Sequence, residues 1–338
     1  VGLVADIQGR PARRIVELAL AGLVDLTHRG GVGADPRTGD GSGILTQIPV
    51  AVFAADLERL SVASDTLARG DLGVAMVFLP TDTERAAVCR AALEEGMATY
   101  GVPVIGWRDV PVDSAVLSET AARTQPHIAQ LFTRRPADRD GDRFERDLML
   151  ARRFAERTAQ ASGIGEFAVA SCSARTVVYK GFCLPEDLPK FYRDLQSPDY
   201  ASAIALFHQR YSTNTFPTWA LAQPFRFLAH NGEINTLKGN VNWMKNHEVK
   251  MVQGNRLWMQ ARKTALQLAG AAPDGGDLGY EALEPVVSMD GSDSFSLDNV
   301  LELLYHGGRS LPHALMMLVP EPWEQLPDLP ADRRAFYD

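Results

Sequence analysis

Cysteine is scarce: Cys89, Cys172 and Cys183 are the only three in 338 residues, and they show no CxxC spacing. An odd, unclustered set excludes a disulfide framework or a four-ligand zinc site and points to a reducing compartment. The seven histidines are scattered, with no HExxH and no helical His pair beside an acid, so no metal is expected. Basic charge is in deficit as well. Lys and Arg number 34 against 42 Asp and Glu, a net charge of −8, which argues against a phosphate-backbone binder with its basic face. No apolar run approaches the ~18 residues of a membrane span, and mean hydropathy is −0.12. The N-terminal residues carry neither the charged nor the apolar region of a secretory signal. These absences together predict a cytoplasmic globular chain with no nucleic-acid or membrane partner.

What is present is an ordinary globular composition, 46% hydrophobic and 22% charged. The length admits two domains or one large one, either able to bury a sizeable core. Arg10 to Arg29 predicts an amphipathic helix, with Pro11 in its first turn and Ile15, Leu18, Ala19, Leu23 and Leu26 at helical spacing. Gly30 and Gly31 stop it and open a glycine-rich stretch to Gly43. Ile44–Val52 and Leu72–Leu79 predict buried strands, and Thr81 and Glu84 stand at capping-box spacing before a helix. Val102–Val112 reads as extended, Arg134–Asp142 as a solvated loop and Phe144–Ala161 as a helix. Glu166–Ser173 and Arg175–Phe182 predict adjacent antiparallel strands. A short helix over Pro185–Leu195 and a last one near Leu297–Tyr305, stopped by Gly307 and Gly308, complete the pattern. Strands and helices mix without strict βαβ alternation, which favours neither a barrel nor a doubly wound sheet.

Four segments could carry chemistry. The glycine-rich stretch fails as a phosphate loop, because it follows a helix and contains no GK[ST]; a tight pocket loop is the plainer account. In AIALFHQRYSTNTFPTW an apolar strand changes character at His208, and Arg210 is followed by Tyr211, Ser212 and Thr213. A guanidinium there can present a two-pronged donor to a carboxylate, with a hydroxyl adding a third hydrogen bond. Pairing with a structural acid would explain the arginine equally well. FLAHNGEINT contains Asn231-Gly232, by default a turn signal. The same pair can donate a side-chain amide and a backbone N–H to a developing oxyanion. SMDGSDSFSLDNVLELL sets Asp290, Asp293 and Asp298 around a helix start. Capping accounts for one polar residue there, and a carboxylate at that place can receive an ammonium group.

A carboxylate clamp, oxyanion donors and an ammonium acceptor suit an enzyme that holds an α-amino acid and attacks its side-chain amide. Through VGLVADIQGRPARRIVELAL, LTHRGGVGADPRTGDGSGI, HQRYSTNTFPTW, AHNGEINT and GSDSFSLDNVLELL, in that order, essentially the whole chain closely resembles one family. It is the N-terminal glutamine amidotransferase domain of glutamate synthase large subunits, class II enzymes of the N-terminal-nucleophile hydrolase kind. The resemblance implies an α+β fold, a four-layer αββα sandwich of two antiparallel sheets flanked by helices. It assigns Arg210 and Thr213 to the glutamine α-carboxylate, Asp293 to the α-ammonium group, and Asn231 with Gly232 to the oxyanion hole. Tyr211 would shape the pocket, and Arg29 of the HRG motif would stand beside the nucleophile. The implied activity is hydrolysis of L-glutamine to glutamate and ammonia, the ammonia passing to an FMN-binding synthase domain of the same chain for addition to 2-oxoglutarate. FMN and an iron–sulfur cluster belong to that larger protein, with a small electron-donating subunit or ferredoxin as partner; no cofactor is expected in this domain.

One departure stands out. The family nucleophile is a cysteine in a Cys-Gly-Val-Gly-type start, whereas this chain opens Val1-Gly2-Leu3-Val4-Ala5. The expectation is therefore a single domain over 1–338, truncated at both ends, without its nucleophile and inactive as it stands. Cys89, Cys172 and Cys183 take no part in the chemistry on this reading. A glutamine-binding or scaffold domain without turnover is the alternative, while a nucleotide-dependent oxidoreductase rests on the glycines alone.

Overall fold

The computed structural model describes residues 1–30, 38–210, 218–232, 234, 238–246, 286–287 and 291–337. Among them, eight strands form two antiparallel four-stranded sheets. The first sheet runs β1 (Gly2–Ala5), β8 (Ile204–Gln209), β2 (Ser42–Gln47), β7 (Thr176–Gly181). The second runs β4 (Val104–Asp109), β5 (His127–Arg134), β3 (Leu72–Leu79), β6 (Ala168–Ser173). Side-chain alternation along β3 separates the layers. Leu72, Val74, Met76 and Phe78 join the core shared with the first sheet. Ala75, Val77 and Leu79 face α3 (Thr83–Thr99) and α5 (Gly141–Ala161) on the other side. Because both faces are covered, all eight residues of β3 are buried, as expected for a central strand.

Helix α1 (Arg13–Asp25) lies on β8 and β1, so the order is helix, sheet, sheet, helices: the α+β sandwich expected. Close approach rests on two glycines. A Cβ on Gly22 of α1 would lie 2.9 Å from the Phe207 ring, and one on Gly96 of α3 only 2.5 Å from the Ala151 carbonyl oxygen of α5. The remaining helices are α2 (Ala54–Arg59), α4 (Glu119–Arg123), α6 (Leu188–Phe191), α7 (238–246), α8 (Asp293–His306), α9 (Leu311–Leu318) and α10 (Ala331–Tyr337).

Several predicted elements shift, each for a local reason. Helix α1 begins at Arg13, since Ala12 is bridged to Ser202 and Pro11 falls before the cap. Its buried stripe is Val16, Ala19, Leu20 and Leu23; Leu18 is 39% exposed. The cap of α3 is Asp82, which accepts the Arg85 N–H at 2.8 Å, so the Thr81–Glu84 capping box does not form. The run Ile44–Val52 ends as a strand at Gln47 and continues into a 3-10 turn, Val50–Phe53. Pro185–Leu195 yields only the single turn of α6 and then another 3-10 turn. The loop 134–142 is pinned by ion pairs, Arg135 to Asp71 at 2.6 Å and Arg139 to Asp147 at 3.1 Å. The helix predicted near Leu297–Tyr305 starts earlier, at Asp293, with the Ser292 hydroxyl accepting the Phe295 N–H, and α9 and α10 follow it unpredicted.

The largest correction concerns β6 and β7. They do not pair: β6 is the edge of the second sheet and β7 the edge of the first. The chain crosses between layers at Ser173–Arg175. There the buried Glu145 carboxylate of α5 accepts the Ser173 hydroxyl at 2.9 Å and the Ala174 N–H at 2.7 Å.

Candidate active site

The site forms where β8 runs past the layers that cover it. Phe207 is the last apolar residue of the strand, held where a Cβ on Gly2 would lie 2.2 Å from its ring. Beyond it come His208, Gln209 and Arg210, which with Val1, Leu26, His28 and Asn231 line a cavity of about 390 Å³.

Arg210 is aimed by its backbone. Its φ of +110° is one of two positive values at non-glycine residues among those described, and its N–H donates to the Gly41 carbonyl at 2.8 Å. Such a conformation costs on the order of 1–3 kcal/mol and persists only where surroundings enforce it. The guanidinium, 41% exposed, lies 3.4 Å from the Asp40 carboxylate. Gln209 turns the other way and donates to the Thr27 carbonyl at 3.3 Å, beside the 3-10 turn Thr27–Arg29. A Cβ on Gly30 would lie 2.1 Å from the Gln209 side-chain nitrogen, so glycine lets this turn close against the strand. The Arg29 side chain lies outside the described residues, as do Tyr211, Thr213 and Asp290.

His208 and His230 connect the strand to the loop that carries Asn231. His208 places Nε2 2.9 Å from the His230 carbonyl, which can only accept, so Nε2 carries the proton. Burial pulls its pKa down to about 4. The His230 N–H donates to Gln223 Oε1 at 3.0 Å. His230 Nδ1 accepts the Gly232 N–H at 3.1 Å, which puts its own proton on Nε2. Burial lowers the His230 pKa, and the charge of Asp293 opposes that shift. Asn231 and Gly232 themselves are exposed.

The two described aspartates of the 288–304 segment separate cleanly. Asp293 opens α8, nearly buried, and accepts the Ser294 N–H at 2.6 Å and its hydroxyl at 3.1 Å. Asp298 is wholly buried and engaged by Arg226 and by backbone N–H groups of 226–228. The three cysteines are buried and reduced, and none lines the cavity. Burial pushes the Cys89 thiol up to about 11 and Cys183 up to about 12, and raises Cys172 further. None is a thiolate at neutral pH, as a nucleophile would need to be. Among the described residues no group of three or more His, Cys, Asp or Glu is arranged to hold a metal. No described helix is long and apolar enough to cross a membrane.

Of the residues singled out by sequence, Arg210 and Asn231 therefore share one cavity, with Gly232 adjoining and Asp293 electrically coupled through His230. The cavity is lined by a guanidinium and a side-chain amide, and the charge of Asp293 is felt at His230. Sequence reasoning missed His28, His208, Gln209 and Leu26 as lining residues. The abrupt change from Phe207 to His208 was the one available signal.

The profile of the family described as glutamine amidotransferases class-II matches residues 1–253 and 245–338. The glutamate synthase [NADPH] large chain of Azospirillum brasilense is 40% identical over 99% of this chain and 21% of its own length. Ferredoxin-dependent glutamate synthase 2 of Synechocystis sp. is 42% identical over 97% of this chain and 20% of its own. The glutamate synthase [NADPH] large chain of Bacillus subtilis is 38% identical over 100% and 21%. The chain thus spans about a fifth of the length of the relatives it matches. With a profile match over both halves and a cavity of this composition, the chain belongs to the class II glutamine amidotransferase family.

Proposed function

We propose that this chain is the glutamine-hydrolysing domain of a glutamate synthase, and that the cavity at the end of β8 binds L-glutamine. The observation carrying this reading is the convergence of Arg210, Asn231 and Val1 on one cavity. Arg210 takes the α-carboxylate, exchanging its 3.4 Å contact with Asp40 for a two-pronged bond, with Thr213 beside it. Asp293 takes the α-ammonium group, Tyr211 shapes the pocket and Arg29 supports the nucleophile.

The nucleophile on this reading is a cysteine joined through glycine to Val1, and the presence of Val1 in the cavity lining supports it. Its thiolate attacks the amide carbon, forming a C–S bond while the carbonyl electron pair moves to oxygen. The Asn231 side-chain amide and the Gly232 N–H stabilise that oxyanion, the latter by leaving His230 Nδ1. The cysteine's own α-amine carries the thiol proton to the departing ammonia. Water then hydrolyses the thioester and releases glutamate.

On this reading the chain is one amidotransferase domain of a longer cytoplasmic protein. Its synthase domain uses the ammonia on 2-oxoglutarate and holds FMN and an iron–sulfur cluster. Reducing power comes from a small subunit or from ferredoxin, in line with the relatives' names. Among the residues of this chain, the buried and separate cysteines provide no thiolate set for the cluster.

The test uses the full-length protein with a free N-terminal cysteine. It should hydrolyse glutamine and be inactivated by an electrophilic glutamine analogue attached to that cysteine. Label found on Cys89, Cys172 or Cys183, or tight glutamine binding without hydrolysis, contradicts the proposal.

A further inference from the structure

Asp298 is the acid of α8 that the proposed chemistry leaves unused, and it has no exposed surface. Its Oδ1 accepts the N–H groups of Phe227 at 2.8 Å and Leu228 at 3.2 Å, and its Oδ2 accepts that of Arg226 at 3.4 Å. The same Oδ2 lies 3.0 Å from the Arg226 guanidinium. Residues 226–228 belong to no strand, so their buried donors need a partner elsewhere, and one carboxylate serves all three. Arg226 extends along α8 to Asn299 and, at 3.3 Å, to Glu302, which is paired in turn with the fully buried Arg152 of α5. Rings close both sides: Phe225 meets Phe295 at 5.7 Å between centroids, and Phe227 meets Tyr305 at 5.3 Å. Burial pushes the Asp298 carboxyl up and the Arg226 guanidinium opposes it.

One helix therefore carries Asp293 at its first residue and, five positions later, the group that fixes the backbone leading directly into Asn231 and Gly232. We propose that Asp298 is a positioning residue for the oxyanion donors. Through residues 226–228 it sets where Asn231 and Gly232 stand relative to Asp293, so α8 gauges the distance between the ammonium end of the substrate and its reacting amide. The inference rests on the glutamine-hydrolysis reading above. A misplacement of about 1 Å at such donors costs on the order of 100-fold in rate.

The experiment is a mutant cycle in the full-length protein, comparing Asp298→Asn, Asn231→Ala and the combination of the two. Asp298→Asn keeps shape and an acceptor oxygen but removes the charge. It is expected to lower kcat for glutamine hydrolysis about 10- to 100-fold with KM little changed. The double variant should lose clearly less than the product of the two single losses, because the Asn231 donor cannot be misplaced once it is gone and only the Gly232 N–H is left to shift. A structural role alone gives losses that multiply. If Asp298→Asn does not fold, Arg226→Lys takes its place in the same cycle with the same expected signs. Wild-type kcat in the folded variant, a loss confined to KM, or multiplying losses would overturn the positioning role while leaving glutamine hydrolysis standing. A wild-type protein that does not hydrolyse glutamine overturns both.

Discussion

In the second sheet β3 runs from Leu72 to Leu79 without a polar side chain, whereas β8 of the first sheet passes in one step from Phe207 to His208, Gln209 and Arg210. The second sheet is not free of charge, but its charge is answered internally. Arg108 of β4 makes two bonds to Asp194, at 2.8 and 3.1 Å, and a third contact to Asp56 at 3.1 Å. Tyr179 donates to the same Asp194 at 2.7 Å. At the end of β8 the polar groups also have partners within the chain, but they line a cavity as well. A buried charge needs a partner; Arg108 finds its partners within the fold, whereas the partly exposed Arg210 lines a cavity and keeps one contact, to Asp40 at 3.4 Å.

That contrast can be broken at either sheet. The largest expected effect is on stability. Phe132→Ala in β5 removes a fully buried ring and should destabilise the fold by about 3–5 kcal/mol in denaturant titration, with KM for glutamine unchanged in the folded fraction. A KM that rises in parallel would mean the second sheet shapes the site directly. Next comes Asn231→Ala, expected to lower kcat roughly 100- to 1000-fold with little change in thermal stability. An unaltered kcat would remove Asn231 from the oxyanion hole. Arg210→Ala should act mainly on KM, raising it about 10- to 100-fold through the lost charge-assisted bonds; a loss confined to kcat would refute the clamp.

The smallest effect is a pH dependence at Lys180 of β7. Its ammonium is buried, donating to the Ala220 carbonyl at 2.7 Å over the Phe225 ring. Burial pulls its pKa from 10.5 down to about 7. The unfolded chain then binds more protons than the folded one above that point, so this group's contribution to stability rises with pH from about 7 upward. The stability of Lys180→Met relative to wild type should accordingly fall, by on the order of 1 kcal/mol, between about pH 7 and 8.5. A gap that stays constant with pH would mean the lysine does not titrate there.

The architecture was legible where local pattern and burial agree. β3 was read to its exact bounds because a short apolar run covered on both faces leaves little ambiguity. β6 and β7 misled because two apolar runs with a short break look like a hairpin. At their crossing the chain is held by Glu145, 28 residues before Ser173, and no local pattern encodes that contact. The start of α1 moved for the same reason, through the bridge from Ala12 to Ser202. In the site, residue type exposed Arg210 and Asn231. Type could not separate Asp293 from Asp298, since both flank one helix start and only Arg226 tells them apart. His28 was invisible, and His208 showed only as a change of character in the strand, because a cavity lining depends on which segments meet.

The left-handed backbone at Arg210 sets a trap for protein engineering. Glycine is the residue that this φ of +110° favours, so a screen that rewards melting temperature alone should enrich Arg210→Gly. Yet glycine has no guanidinium to offer a carboxylate. Selection for heat resistance and selection for turnover would then pull one codon in opposite directions, and an arginine kept there against its own backbone preference would be a sign that catalysis is the stronger pressure.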